Sequence, residues 1–107
     1  MVQSEFTVEL SDGKTYVLTV TLEAMQKINR AFDSYVNAVK QVQELNFDAL
    51  CAIIAAGAGL GQRQAAALQA EVFKAGIQNV APQLGPFMVR LMDPSGGEEE
   101  GAESGKS

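Results

Sequence analysis

The first part of the chain alternates between apolar and polar residues in two runs separated by a polar turn. Every second residue of both runs is apolar: Phe6, Val8, Leu10, Tyr16, Leu18 and Val20. The runs flank Ser11-Asp12-Gly13-Lys14, and an Asp-Gly pair between alternating runs is typical of a β-hairpin. We therefore predict an antiparallel hairpin over residues 4–21, packed on other elements because an isolated hairpin is only marginally stable.

The period of the apolar residues changes after the hairpin. They recur every three or four positions, as in an amphipathic helix: Leu22, Met25, Ile28, Phe32, Val39 and Val42. Thr21 is a residue type that caps helix N-termini, and Glu23 follows in the first turn, where a negative charge is favourable. The spacing predicts one long helix over about residues 22–43.

A second helix is predicted over residues 47–57, where apolar residues occupy most sides. Asn46 is expected to cap its start. Gly57, Gly59 and Gly61 are expected to end it, because glycine readily adopts the left-handed conformation found at helix C-termini.

A third helix is predicted over residues 63–75. We expect Leu68, Val72 and Phe73 to point inward and Gly76 to end this helix. A fourth helical pattern covers residues 77–92, but two prolines interrupt it. Proline removes a backbone N–H and clashes one turn back, so we expect a break near residues 85–86.

Together these elements predict an α+β fold, in which an N-terminal two-stranded antiparallel hairpin packs on a small bundle of three to four helices. Residues 1–94 form a single domain in this interpretation. Residues 95–107 are rich in glycine, serine and glutamate and nearly free of apolar side chains. They are predicted to be a disordered acidic tail.

The net charge of −5 is concentrated in the tail. Residues 93–107 carry five carboxylates and one lysine, a net of −4, so residues 1–92 hold only −1. An acidic chain repels phosphate backbones and anionic lipid, and we expect no nucleic-acid partner and no membrane partner. The single cysteine and the lack of a basic, apolar leader favour a cytoplasmic location.

The residue types needed for common catalytic sites are missing. There is no histidine, which excludes Ser–His and Cys–His nucleophile pairs and zinc sites built from cysteine and histidine. Cys51 is flanked by apolar residues and is predicted to be a small buried side chain. Glu5 and Glu9 are predicted to lie on a solvated strand face. We therefore predict no enzyme, and no catalytic residue, cofactor, metal or small-molecule substrate.

Two weaker patterns point to other ligands. The glycines at positions 57, 59 and 61 lack the preceding strand that a nucleotide loop requires. The second and third helices also fit a helix-turn-helix, whose recognition helix would carry Arg63, Gln64, Gln69 and Lys74. A small DNA-binding regulator is therefore an alternative, although two cations give a thin electrostatic footprint.

The order of features is more informative than any one motif. The hairpin ends in Thr21-Leu22-Glu23-Ala24 and enters a long helix directly. The apolar helix Leu50–Gly57, the segment Val72–Gly76, an apolar segment over residues 80–92 and an acidic tail follow. Over nearly all of residues 5–94 this resembles the small tail assembly proteins of long-tailed phages, prophages and gene transfer agents.

The resemblance implies a tail assembly chaperone without catalytic residues. Such proteins bind the long, apolar tape measure protein, help the tail tube protein polymerise around it, and are usually absent from the finished particle. The implied location is the host cytoplasm if the gene belongs to a phage. A structural component of the virion tail is the main alternative, and whether the chain forms a homo-oligomer stays open.

The candidate surface for the partner is the methionine-containing end of the fourth helix. Phe87, Met88, Leu91 and Met92 are the candidate partner-binding residues, because an apolar groove suits an apolar helix and methionine adapts to varied partners. The alternative is that these four side chains complete the core.

Overall fold

The computed structural model describes residues 4–94 and shows the predicted α+β fold. The hairpin packs on five helices, where three to four were predicted. The elements in chain order are β1 (Glu5–Glu9), β2 (Thr15–Thr19), α1 (Leu22–Phe32), α2 (Tyr35–Gln43), α3 (Phe47–Ala58), α4 (Gln62–Ala75) and α5 (Ile77–Met92). Among the helices of residues 4–94, none has the length and apolar character needed to cross a bilayer. The predicted acidic tail, residues 95–107, lies outside the described residues.

The two strands pair in antiparallel fashion, as predicted, and the alternating apolar residues share one face. Phe6 lies opposite Leu18 and Thr7 opposite Val17, and a short 3₁₀ turn at Ser11–Gly13 joins the strands. Leu18 is fully buried, whereas Thr7 and Val17 on the other face are exposed. A shift by one residue would turn the apolar side chains to solvent, so packing on the helices fixes the pairing.

Helix α3 lies at the centre of the fold and contacts β2 and the four other helices. Its buried residues occupy most of its sides: Ala49, Leu50, Cys51, Ile53, Ile54 and Gly57. Such a helix is stable only when it is enclosed. As predicted, Asn46 caps it by accepting the N–H of Ala49 at 3.0 Å, and Gly59 ends it with φ 69°.

Gly57 allows the hairpin to approach α3 closely. A Cβ atom at this position would lie 3.0 Å from Phe87 Cζ and 3.1 Å from Leu18 Cβ. The Phe87 ring packs edge-on against the Phe6 ring, with centroids 6.2 Å apart and planes at 70°. Both strands, α3 and α5 therefore meet at this glycine.

The single helix predicted over residues 22–43 is wrong, because the chain forms two helices there. Asp33 adopts the left-handed backbone conformation with φ 66°, and Ser34 caps α2 by accepting the N–H of Asn37 at 3.0 Å. The Asn37 amide donates to the C=O of Phe32 at 2.9 Å. These side chains satisfy backbone groups that a helix end leaves unpaired. Both helices bury an apolar stripe, so the spacing alone does not show the break.

The break predicted near Gly85 and Pro86 is also wrong, because α5 continues through Pro82 and Pro86. Both prolines are exposed, which places the interrupted backbone bonding on the solvent side. The buried side holds Val80, Ala81, Leu84, Phe87, Met88 and Leu91. Burying each large side chain contributes about 1.5–3 kcal/mol, against about 3 kcal/mol lost at each proline. Gly85 also has no Cβ to clash with the following proline ring.

The inward direction predicted for Phe73 is wrong as well. Helix α4 buries Leu68 and Val72, which lie four residues apart on one face. Phe73 is 77 % exposed, because successive helical residues point about 100° apart and this side chain falls beside the buried stripe.

Replacing Gly57 with valine is expected to lower the free energy of unfolding by about 2 kcal/mol. The added side chain meets Leu18 and Phe87, and overpacking a core costs about 1–3 kcal/mol. Ala66→Val on the exposed surface of α4 is the control, and should cost only about 0.5 kcal/mol of helix propensity. Urea denaturation followed by circular dichroism measures both. A Gly57→Val protein as stable as the wild type would contradict the close contact.

Candidate functional site

The single thiol of the chain is not placed for chemistry. Cys51 is buried in α3, as predicted, and burial together with the Asp48 carboxylate raises its pKa to about 11. The thiolate is the nucleophilic form, and little of it exists at neutral pH with such a pKa. Within residues 4–94, no group of three or more histidine, cysteine or carboxylate side chains is arranged to hold a metal ion.

A polar cluster joins the hairpin to α4. The Tyr16 hydroxyl donates to a Glu71 carboxylate oxygen at 2.5 Å, and Lys14 Nζ lies 3.4 Å from the other oxygen. The bond to Glu71, burial and the carboxylate charge raise the pKa of Tyr16 to about 12. The same bond, with the charges of Lys14 and Lys74, lowers the pKa of Glu71. At neutral pH Tyr16 is protonated and Glu71 ionised, so the cluster stabilises the fold and supplies no acid–base pair.

The structure separates the four candidate partner-binding residues. Phe87, Met88 and Leu91 are at most 3 % exposed and belong to the core, which is the alternative interpretation given above. Met92 is 57 % exposed. The four side chains therefore do not share one accessible surface, and a partner can make extensive contact only with Met92.

An apolar groove runs along α5 beside α2, and we call it the α2–α5 groove. It is lined by residues of the two helices and of the loop after α2: Val39, Val42, Gln43, Leu45, Gln78, Ala81, Pro82, Gly85, Met88, Val89 and Met92. All of these residues are uncharged. From Gln78 to Met92 the groove follows roughly 21 Å of helix, at 1.5 Å per residue.

Met92 connects the α2–α5 groove to a second apolar depression at the start of α1. Its lining is also uncharged: Val20, Thr21, Leu22, Met25, Leu91, Met92 and Pro94. Leu22 and Val89 are mostly exposed, as is Val36, one turn before the groove on α2. Clustered exposed apolar side chains mark interaction sites on soluble proteins. This continuous apolar surface is the candidate functional site.

Tyr35 holds α2 against α5 at the groove. Its hydroxyl donates to the backbone C=O of Met88 and lies 3.6 Å from Met88 Sδ. Burial raises the pKa of Tyr35 to about 12, so the hydroxyl keeps its proton and remains a donor. The bond joins the first turn of α2 to α5 at Met88, one of the residues that line the groove.

Sequence reasoning missed Leu22 and Val89 as site residues. The buried stripe of α5 includes Phe87 and Leu91, and Val89 lies beside that stripe. The signal was present in the sequence, since Val89 and Met92 are apolar residues three positions apart on a second side of the helix. Within residues 4–94 no element covers this second side, so Val89 and Met92 stay largely exposed.

The residues of the alternative recognition helix are exposed on α4: Arg63, Gln64, Gln69 and Lys74. The Gln64 side chain accepts the N–H of Gly61 at 3.3 Å, and so serves as a cap. Ala66, Ala70 and Phe73 share the exposed surface of this helix. Apolar side chains between two cations do not strengthen the case for phosphate contacts.

Comparison of the chain with protein-family models, curated proteins and solved structures finds no match. The resemblance to tail assembly chaperones therefore rests on the sequence pattern. The site itself is an apolar surface without catalytic geometry.

Replacing Glu71 with glutamine is expected to lower the free energy of unfolding by about 1 kcal/mol at neutral pH, because a hydrogen bond to a charged group becomes a neutral one. The folded-state pKa of Glu71 lies below its ordinary value of 4.5. Its contribution is therefore complete above pH 4.5 and is lost as the pH falls through the lower folded-state pKa.

Urea denaturation at about pH 7 and about pH 3 measures this difference. The wild type should be the more stable protein at the higher pH, and the gap should shrink at the lower. Glu44→Gln, at the exposed C-cap of α2, is the control and should not destabilise the protein at neutral pH, because a negative charge at a helix C-terminus is unfavourable. A difference that is equal at both pH values would contradict the ionised state of Glu71.

Proposed function

We propose that this protein is a tail assembly chaperone of the phage type, which holds an apolar helix of a tape measure protein in the α2–α5 groove. The observation that carries the proposal is the uncharged lining of the groove along α5. The sequence resemblance supports it independently, because it implies a protein that keeps an apolar helix in solution.

The dimensions of the groove suit a helix. About 21 Å corresponds to four turns of an α-helix, and a bound helix presents anchors at positions i, i+3, i+4 and i+7. Val89 and Met92 are spaced to contact successive turns of such a partner. The Tyr35 bond joins α2 to α5, and a groove that is already formed reduces the cost of ordering on binding.

The chemistry of the lining suits a partner with varied apolar residues. Met88 lies in the floor and Met92 on the rim, and methionine side chains adapt to irregular surfaces. A charged ligand would gain no ion pair from the residues that line the groove and would lose its hydration there. A long helix with apolar stripes, as in a tape measure protein, presents varied apolar residues and needs no ion pair from the groove.

The remaining parts of the proposal follow from the resemblance. The tail tube protein is the second partner, and the host cytoplasm is the place of action. A structural tail component would use the same groove, and the composition of purified particles separates the two functions. A chaperone is absent from the particle, whereas mass spectrometry finding it there in stoichiometric amount would favour the structural component.

The direct test is co-purification of the full chain with the tape measure protein encoded in the same gene cluster. Val89→Glu is expected to weaken binding at least about tenfold, equivalent to 1.4 kcal/mol, because it places an unpaired charge in the apolar contact. Phe73→Glu is the matched control, since it puts the same charge at an exposed apolar position on α4. Isothermal titration calorimetry measures the affinities.

Two outcomes would count against the proposal. Equal losses from Val89→Glu and Phe73→Glu would show that the α2–α5 groove is not the binding surface. The absence of any binding by the wild-type chain, together with a gene cluster that lacks tube and tape measure genes, would reject the function itself.

A further inference from the structure

The hydrogen-bond pattern between β1 and β2 determines which backbone groups of the hairpin point outward. Leu10 N–H donates to Lys14 C=O at 2.7 Å, which makes this a hydrogen-bonded pair. Such pairs alternate with non-hydrogen-bonded pairs in an antiparallel ladder. Three positions along, Thr7 and Val17 form a non-hydrogen-bonded pair. Their N–H and C=O groups therefore point away from each other, toward the two outer edges of the hairpin.

The outer edge of β1 is closed at Glu9 and carries negative charge. Glu9 N–H donates to Gln83 Oε1 at 2.7 Å, and Gln83 Nε2 donates to Glu9 C=O at 3.0 Å. The Gln83 amide thus takes the place of a neighbouring strand at Glu9. Glu5 and Glu9 also put two carboxylates along this edge, and charged side chains discourage the addition of another strand.

The outer edge of β2 lacks both kinds of protection. Within residues 4–94, no hydrogen bond reaches the outward N–H and C=O groups of Thr15, Val17 and Thr19. Strand β2 packs mainly on β1 and α3, which lie at its other edge and under its buried face. The three side chains are uncharged and β-branched, and Val17 is 47 % exposed.

We propose that two copies of this protein pair through their β2 edges, about a two-fold axis at Val17. In this register Val17 lies opposite Val17 of the second copy, and Thr15 lies opposite Thr19. The Thr15–Thr19 pair occurs twice because of the two-fold axis, which makes three pairs in total. Each pair can exchange two backbone hydrogen bonds, about six in all. The product is a four-stranded antiparallel sheet in the order β1–β2–β2–β1.

A second copy fits this edge better than an unrelated strand. Thr15, Val17 and Thr19 read the same in both directions, so antiparallel self-pairing makes Thr–Thr and Val–Val contacts, which are favourable cross-strand pairs. The outermost strands of the dimer would be the two copies of β1, whose edges carry Gln83 and the glutamates. Assembly therefore stops at two chains and does not continue as a filament.

The dimer is expected to be reversible. Two five-residue strands bury less than the roughly 800 Å² per partner of a stable interface, so pairing should become extensive at concentrations on the order of 100 μM. The residues of the β2 edge do not line the α2–α5 groove. The dimer and the proposed chaperone function can therefore fail independently.

Sedimentation equilibrium of the full chain over a wide concentration range, at about 0.15 M salt to screen the net charge, tests the proposal. The wild type should move from monomer to dimer. Val17→Lys puts like charges opposite each other at the axis and should lower the association constant at least about tenfold. Thr7→Lys is the matched control, because Thr7 is the cross-strand neighbour of Val17 on the exposed face, and it should dimerise like the wild type.

Cross-linking gives a second measurement that needs no charge in the sheet. Hydrogen-bonded antiparallel pairs place Cα atoms about 5.5 Å apart, within the range of a disulfide. Val17→Cys should therefore form a covalent dimer under mild oxidation, about tenfold more than Thr7→Cys. Cys51 is buried and is present in both variants.

The proposal is overturned if the wild type stays monomeric throughout the concentration range. It is also overturned if the wild type dimerises but Val17→Lys and Thr7→Lys associate equally well, because the interface is then elsewhere. Equal cross-linking of Val17→Cys and Thr7→Cys would reject the two-fold axis at Val17.

Discussion

The closest apolar approach of the hairpin to the helices lies at Gly57, where Leu18 and Phe87 both pack against the glycine. A hairpin this short is not stable alone, and α3 is too apolar to remain uncovered. Each therefore supplies the surface that the other requires. Because glycine has no side chain, the strand and the helix approach closely enough for the Phe87 ring to reach Phe6.

Helix α5 depends on this contact and also carries the candidate site. Its buried side supplies Phe87 and five further core residues, and the burial outweighs two prolines in the same helix. Its outer side, with Val89 and Met92, forms the α2–α5 groove. The core thus positions α5, and the Tyr35 hydroxyl joins α2 to it at Met88. An uncharged groove that is already formed suits an apolar helix, which is the property that the proposed chaperone needs.

Polar side chains in this protein mostly close backbone groups and join elements. Gln83 bonds the edge of β1 at Glu9, Ser34 caps α2, and Glu71 joins α4 to the hairpin through Tyr16. Within residues 4–94, the groove and the edge of β2 are two uncharged surfaces without such bonds. Both are suited to contact with protein. The groove would contact a partner through side chains, and the edge of β2 would contact a partner through backbone hydrogen bonds.

The sequence by itself determined the hairpin, the alternation of its two faces, the apolar central helix and the caps at Thr21 and Asn46. These features depend on residues close together in the chain, where alternation, helical spacing and capping chemistry act. Only the tertiary structure decided that the chain turns at Asp33, that α5 continues through its prolines, and that Met92 is the accessible member of its cluster. Spacing shows which side of an element is apolar, but not which neighbour covers that side. Whether the free energy gained by burial outweighs a local cost such as proline depends on the neighbours that pack against the helix. These neighbours are known only once the elements are assembled.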